Sequence, residues 1–441
     1  MKNQFFRNVA FALIGVSFLA AQPADETQLK QVIVVGRHSV RAPIAPNSTL
    51  DAFATQPFPA FSVPTGYLTA NGAALEKNLG AYYRLWLTNE GLLTGNDPAD
   101  ANRVYFRANV IQRTIATAQS FAAGILPGAN VFVNYLGPTA SDPLFDPVGA
   151  GVARLDPQKA VAAVQGRFGG NPQAIAGAYA PELAFLRSTL FGYSANTSPV
   201  PATPTGKIDV TAIPFDAAAG GTTGWPVYPG GLASVLLAAD PFVMEYADGL
   251  PLSDVGWGQL NAGGVSQLSR LYALGIDLAN RTPYLDSVQS SNLASHVVRS
   301  MVQSSTGNTM AGTLGTPSTK MIVLIASDTH LTGLAGLFDL AWLVPGYQPN
   351  YCGPGGALVL ELRQSKGTGE FIVRASYVAQ TLDQLRNRTP LTLATPPVKA
   401  PVFIPGCSNR NATFDCPLAK FVQIARVVVD PQSSDLLDVN H

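Results

Sequence analysis

Charge is what this sequence has least of. Charged residues make up 13% of its 441 positions, against roughly 25% in an ordinary globular chain. The 28 basic and 28 acidic residues cancel to a formal net charge of zero, and they are scattered without long runs of one sign. A nucleic acid or an anionic membrane needs a basic patch, so neither is expected as a partner. Only four histidines and three cysteines are present. There is no H-E-x-x-H pair and no zinc-like cysteine spacing, so no metal and no cofactor are expected. The G-x-S-x-G elbow is missing, and "GGVSQLSR" falls inside a helical pattern, which sets aside a serine hydrolase. No P-loop lysine motif occurs and "GGTTGW" follows no clear strand, so nucleotide binding has no support. No internal repeat is found.

Long apolar runs are missing too. "VAFALIGVSFLAA" spans residues 9–21 and is too short for a bilayer of roughly 30 Å hydrocarbon. With Lys2 and Arg7 before it and small residues after it, residues 1–21 are expected to be a signal peptide, making the mature protein soluble and secreted or periplasmic. Export permits disulfides. Cys407 and Cys416 flank a short polar loop that closes easily, so they are expected to pair and leave Cys352 free. The 41 glycines, 34 prolines and 47% hydrophobic content describe a loop-rich globular chain with a sizeable core, not a disordered one.

"QVIVV" (31–35) predicts a strand. "LTANGAALEKNLGAYYRLWLTNEG" predicts a helix, because Leu75, Leu79, Tyr82, Tyr83 and Trp86 recur at three- and four-residue spacing. "NRVYFRANVIQRTIATAQSFAAGIL" predicts a strand, a turn and a helix from near Gln112. Loops follow in "SPVPATPTGKIDV" and "FDAAAGGTTGWPVYPGG", then a helix in "VSQLSRLYALGIDLANRT". "KMIVLIASDTHLTGLAGLFDL" predicts an apolar strand, a polar break and a helix, with Asp328 as cap of a helix starting at Thr329. "GGALVLELRQ" and "FIVRASYVAQ" alternate and predict a hairpin. Strands alternating with helices imply an α/β fold, its mixed and mainly parallel sheet covered on both faces. Ligands of such sheets bind at the carboxyl ends of strands. The polar residues there are Arg37, His38 and Arg41; Arg107 and Arg113; and Ser327, Asp328 and His330.

Arginines and a histidine converging on strand ends make an oxyanion site. Guanidinium forks match phosphate oxygens, and a neutral imidazole can attack phosphorus while the arginines neutralise the equatorial oxygens. Asp328 could then protonate the leaving alkoxide. Each piece alone has a plainer reading. An Arg-His pair after a strand is most often a surface turn, and Arg113 a helix-surface residue. His330 reads as structural or at the rim, His296 as an ordinary helix residue, and His441 ends the chain.

Together the pieces carry a family resemblance. "RHSVRAP" resembles the R-H-G-x-R-x-P signature of the histidine acid phosphatases, the family of bacterial periplasmic phytases and glucose-1-phosphatases. "RANVIQRTIATAQSFAAGILP", "DPLFDP", "ASDTHLTGLAGLFDLAW", "PGGALVLEL", "QTLDQLRNRTPL" and the paired-cysteine loop extend the match from about residue 29 to residue 425. The resemblance implies that His38 is the nucleophile, that Arg37, Arg41 and Arg113 hold the phosphate, and that Asp328 donates the proton. It implies no metal, an acidic pH optimum and a small-molecule phosphate monoester as substrate. It also implies an α/β core (28–50, 101–150, 260–430) with a smaller, mainly helical cap (51–100, 151–259) beside the cleft.

The sequence departs from the family at several positions. Ser39 replaces the signature glycine and is expected at the rim. Ser327 replaces a histidine that touches phosphate, at a cost of ~1.5–3 kcal/mol for a lost charge-assisted contact, and His330 is the candidate to compensate. Ile44 and Ala45 follow Pro43 where phytases are polar, and "DSVQSS" (286–291) lacks a substrate-binding arginine. The expectation is therefore a phosphomonoesterase for less charged substrates. A phytase, or a weakened relative that binds phosphorylated ligands, are the alternatives. The oligomeric state is left open.

Overall fold

The computed structural model describes residues 25–216, 218–219, 226–227 and 231–435. The expected signal peptide, "GGTTGW" and His441 lie outside these residues. Strand β1 (Thr27–Arg37) is buried on both sides from Val32 onward, and a strand covered on both faces reads as a continuous apolar run. Alternation sends Val32 and Val34 into one cluster with Leu79, Tyr83 and Phe121. Ile33 and Val35 enter the other, with Leu293, Leu331 and Leu334.

Helix α1 (Ala70–Asn89) starts where the Thr69 hydroxyl accepts the Gly72 N–H. Strand β2 (Val104–Ala108) and helix α2 (Gln112–Ile125) follow, then the short β3 (Val133–Asn134). Helices α3 (Ala180–Phe191), α4 (Gly231–Ala247), α5 (Ala262–Asn280) and α6 (Pro283–Thr306) come next. Strand β4 (Met321–Ala326) runs directly into α7 (Asp328–Leu337). The chain closes with β5 (Ala357–Ser365), β6 (Phe371–Ala379), β7 (Val398–Val402), β8 (Cys416–Pro417) and α8 (Leu418–Val428). Pro199, in the loop before α4, follows a cis peptide bond.

The strands order β8-β6-β5-β1-β4-β2-β3, with β7 also paired to β6. The expected α/β fold with a mixed sheet is present. Its pairing is parallel among β1, β4, β2 and β3 and antiparallel among β1, β5, β6, β7 and β8, so parallel pairing does not prevail. The expected hairpin is β5–β6, and it adds to the sheet on the antiparallel side. In the parallel half, Arg37 lies opposite Ala326 and Ala108 opposite Ile325. Two further bonds carry this register past the strands: the His38 N–H donates to the Ala326 carbonyl and the Asn109 N–H to the Ile325 carbonyl, both at 2.9 Å. Three strand ends thus stop at one edge.

Helices α1 and α2 cross on one face at glycines. A Cβ on Gly80 would collide with the Phe121 carbonyl, and one on Gly124 with the Lys77 carbonyl. The long helix α6 covers the other face, with Leu293, Ala294 and Val297 in the core. Residues 286–291 are the early turns of α6, and four of them (Asp286, Val288, Ser290 and Ser291) are buried. Cys407 and Cys416 are joined as expected, and Cys352 is a buried free thiol.

Candidate active site

Arg37 is the last residue of β1 and points to the α5–α7 side. Its Nη1 donates to the Cys352 carbonyl at 2.5 Å, its Nη2 lies 3.0 Å from Asp328 Oδ2, and its guanidinium sits 5.7 Å from the centre of the Tyr272 ring. Arg41 meets Asp240 of α4 fork to fork, with Nη1–Oδ2 at 2.8 Å and Nη2–Oδ1 at 2.9 Å. Arg113, in the first turn of α2, donates from Nη1 to the Gly66 carbonyl at 3.4 Å, while its buried Nε has no partner. Asp328 opens α7, where its Oδ1 accepts the Thr329 N–H and its Oδ2 the Tyr272 hydroxyl, at 3.0 and 2.9 Å. The structure therefore gathers His38, Arg37, Arg41, Arg113 and Asp328 at one edge of the sheet.

His38 is oriented by its neighbour. Nδ1 lies 2.9 Å from the Ser39 carbonyl, an oxygen that can only accept. The proton therefore sits on Nδ1 and the Nε2 lone pair stays free. Burial lowers the imidazole pKa well below its usual range, and the charges of Arg37, Arg41 and Arg113 lower it further. A lowered pKa favours the neutral imidazole, the form that can act as a nucleophile. Burial works against the Arg37 charge, but Asp328, Tyr272, Tyr351 and Asp240 together more than offset it and raise the guanidinium pKa well above its usual value. Arg37, His38 and Arg41 are each at most 2% exposed, so their charges act through little intervening water.

Residues 28–173 match the Histidine phosphatase superfamily (branch 2). The phytase AppA of Escherichia coli K12 is 30% identical over 417 residues, covering 94% of this chain and 95% of its own. The chain belongs to the histidine phosphatase superfamily, branch 2. A glucose-1-phosphatase of Salmonella typhimurium is also 30% identical, over 94% of this chain and 96% of its own. Among solved structures, a Hafnia alvei phytase in complex with tartrate superposes with a TM-score of 0.82 at 29% identity, covering 94% of this chain and 100% of that one. The same phytase in complex with myo-inositol hexakis sulphate gives 0.81. This protein is thus a hydrolase of the histidine acid phosphatase family.

Within this histidine phosphatase, several expected positions are corrected. Ser39 is fully buried rather than at the rim, because its N–H donates to Thr117 Oγ1 at 3.1 Å and pins it beneath α2. Ser327, not Asp328, takes the extended cap conformation, and Asp328 is the first helical residue. Both ring nitrogens of His330 are engaged within the protein. Its Nδ1 accepts the Ser327 N–H at 3.2 Å and its Nε2 donates to the Phe145 carbonyl at 2.7 Å. One nitrogen serves the helix start and the other the "DPLFDP" segment, so neither is left for a ligand. Arg107 is bound by Asp142 of the same segment, at 2.7 and 3.1 Å, and is structural. His296 bonds the Gly312 carbonyl and Asp435 as an ordinary residue of α6.

Sequence reasoning missed Asp240 and Tyr272. A cavity of about 230 Å³ opens beside Asp328, lined by Tyr179, Arg270, Tyr272, Asp277 and Tyr351 among others. Asp240 carried one signal: an acidic residue before Pro241 in a largely apolar helix. Tyr272 carried none, since one tyrosine on an amphipathic helix is ordinary core.

Proposed function

We propose that this histidine acid phosphatase is an exported phosphomonoesterase that works through a phosphohistidine on His38. The observation that carries the reading is the Nδ1 contact with the Ser39 carbonyl, which leaves Nε2 as the attacking atom. Nε2 forms a bond to phosphorus as the ester P–O bond breaks. Asp328, in its acid form, gives its proton to the departing oxygen. The resulting carboxylate then takes a proton from the water that attacks phosphorus, the N–P bond breaks, and phosphate leaves. Arg37, Arg41 and Arg113 balance the charge of the equatorial oxygens, each fixed in place before the reaction.

The preferred substrate carries little charge beyond its phosphate. Three tyrosines line the cavity beside Asp328, and its cation Arg270 is held by Glu182 at 2.5 Å over the Tyr179 ring. Ile44, after the signature, is an exposed apolar residue. A polyphosphorylated ring finds few free cations in such a setting. The similarity to the Escherichia coli and Hafnia alvei phytases favours a second reading, a phytase.

Phosphate release from p-nitrophenyl phosphate, glucose 1-phosphate and phytate between pH 3 and 7 tests both readings against a His38→Ala control. Turnover in acid that vanishes in the control, fastest on the monophosphates, is the expected result. Phytate as the fastest substrate would favour the phytase. No turnover on any of the three would leave a phosphate-binding relative and overturn the proposal.

A further inference from the structure

Behind the loop that carries His38 lies a carboxyl group with no cation to pair with among the described residues. Glu76 of α1 is 1% exposed and its Oε1 lacks a hydrogen-bond partner. Burial pushes its carboxyl up to about 8, opposed by the nearby Ser39 hydroxyl. Ser39 Oγ is likewise buried and completes no hydrogen bond. Both groups lie over Gly355, whose backbone is left-handed at φ +67°. A Cβ there would collide with Glu76 Oε1 and sit 3.7 Å from Ser39 Oγ. The Gly355 N–H donates to the His38 carbonyl at 3.1 Å.

Helix α1 is built to press on this loop. Gly72 leaves no room for a Cβ against the Val40 carbonyl, and the Thr69 N–H donates to that same oxygen at 3.0 Å. Glu76 is one turn beyond Gly72 and so shares its face. Every other polar atom of Ser39 already serves the nucleophile: its N–H is anchored on Thr117 and its carbonyl accepts from His38 Nδ1. Two unpartnered polar groups at this depth would each cost about 1–3 kcal/mol if they did not satisfy one another.

We propose that Glu76 and Ser39 are paired positioning residues, the carboxyl holding the Ser39 hydroxyl so that the Ser39 carbonyl keeps His38 with Nε2 free. In acid the Glu76 carboxyl is neutral and serves as a donor, and the Ser39 side chain is what gives it an acceptor. A glycine at position 39, as in the family signature, would leave Glu76 without that acceptor, so the two residues depend on each other. The inference deepens the phosphohistidine reading and rests on it.

The test compares Glu76→Gln, Glu76→Leu, Ser39→Gly and the double variant Ser39→Gly/Glu76→Leu. It reads kcat and KM on p-nitrophenyl phosphate, thermal unfolding, and the ¹⁵N shifts of the His38 ring. Loss of one neutral hydrogen bond should cost ~tenfold in kcat in Glu76→Leu and in Ser39→Gly, with KM unchanged. Glu76→Gln, which keeps a donor, should hold the original kcat, and the double variant should be no worse than either single one. A folded Glu76→Leu with undiminished kcat would overturn the pairing. So would equal losses in the Gln and Leu variants, or losses that multiply in the double variant.

If the unmutated protein turns over nothing, the phosphatase reading fails on its own, and the ring shifts then decide the pairing. Nδ1 protonation intact with Glu or Gln at position 76 and mixed tautomers with Leu would support it. Identical shifts throughout would sink it. Should Glu76→Leu not fold, Ser39→Gly against Glu76→Gln makes the same comparison.

Discussion

Asp240 takes both outer nitrogens of Arg41, and Asp328 lies against Arg37. Two of the three arginines proposed to hold the phosphate are thus already oriented by carboxylates, and a buried guanidinium without such a partner would be costly. Asp240→Asn keeps the shape but loses one of the two charge-assisted bonds, its amide N–H facing a guanidinium donor, and leaves the other without its charge; at ~1.5 kcal/mol or more, kcat/KM should fall at least ~tenfold with the fold intact. Steady-state kinetics beside a melting curve would check this, and unchanged kinetics would show that Asp240 is only packing. Ser327 is the complementary case, a serine where the family resemblance implies a histidine. With His330 committed to Phe145, Ser327→His should raise kcat/KM by ~10- to 100-fold if it restores a contact worth ~1.5–3 kcal/mol. No gain would mean that Arg113 and the α7 backbone already do that work. The residue types Arg37, His38, Arg41, Arg113 and Asp328 were legible because their chemistry is rare in a chain so poor in charge. Asp240 was not, because a carboxylate in a helix has many uses until its partner is known.

Helix α2 carries Arg113 in its first turn, and its seat is set by the crossing with α1 at Gly80 and Gly124. A methyl group at Gly124 meets the Lys77 carbonyl, so Gly124→Ala should destabilise the protein by ~1–3 kcal/mol. It should also raise KM, because α2 moves as a unit and takes Arg113 with it. Gly166 is helical with nothing near its Cβ position, and Gly166→Ala should be neutral or stabilising. Urea unfolding of both variants distinguishes close packing from a general effect of removing glycine. Strands and helices were legible here because apolar periodicity follows burial, and burial on both faces left β1 and β4 as continuous runs. The pairing of β5 and β6 on the antiparallel side was not, since a hairpin reads the same wherever it joins a sheet.

Across the whole molecule, buried acids and buried histidines pull stability in opposite directions with pH. Glu76 and Glu245 are pushed by burial up to about 8, and Asp286 to about 7. Their folded values lie above their unfolded ones, so the stability they lend is complete only below about pH 4, where the unfolded chain also holds these protons, and is lost progressively as pH rises to about 7 to 8. His38 and His330 are pushed down, chiefly by burial. They are neutral in the fold, and they cost stability once the unfolded chain binds protons below roughly pH 6.5. Between pH 6.5 and 8 the carboxyls act without that opposition. The urea midpoint should therefore be higher at pH 6.5 than at pH 8.5, and Glu245→Gln, which can still accept the Gly256 N–H, should flatten the slope. A midpoint that rises toward pH 8.5 would show that these carboxyls are ionised in the folded protein.

The sequence by itself determined the α/β class, the paired cysteines and which polar residues meet at the strand ends. Those follow from periodicity, from short-range closure and from the rarity of charge in this chain, all of which are local. Tertiary structure alone decided which carboxylate holds Arg41, that His330 faces Phe145, that Tyr272 reaches Asp328, and that Glu76 lies against Ser39. Each of these pairs joins residues from separate elements, and only the register of the sheet and the crossing of the helices bring them within a hydrogen bond's length or close to it.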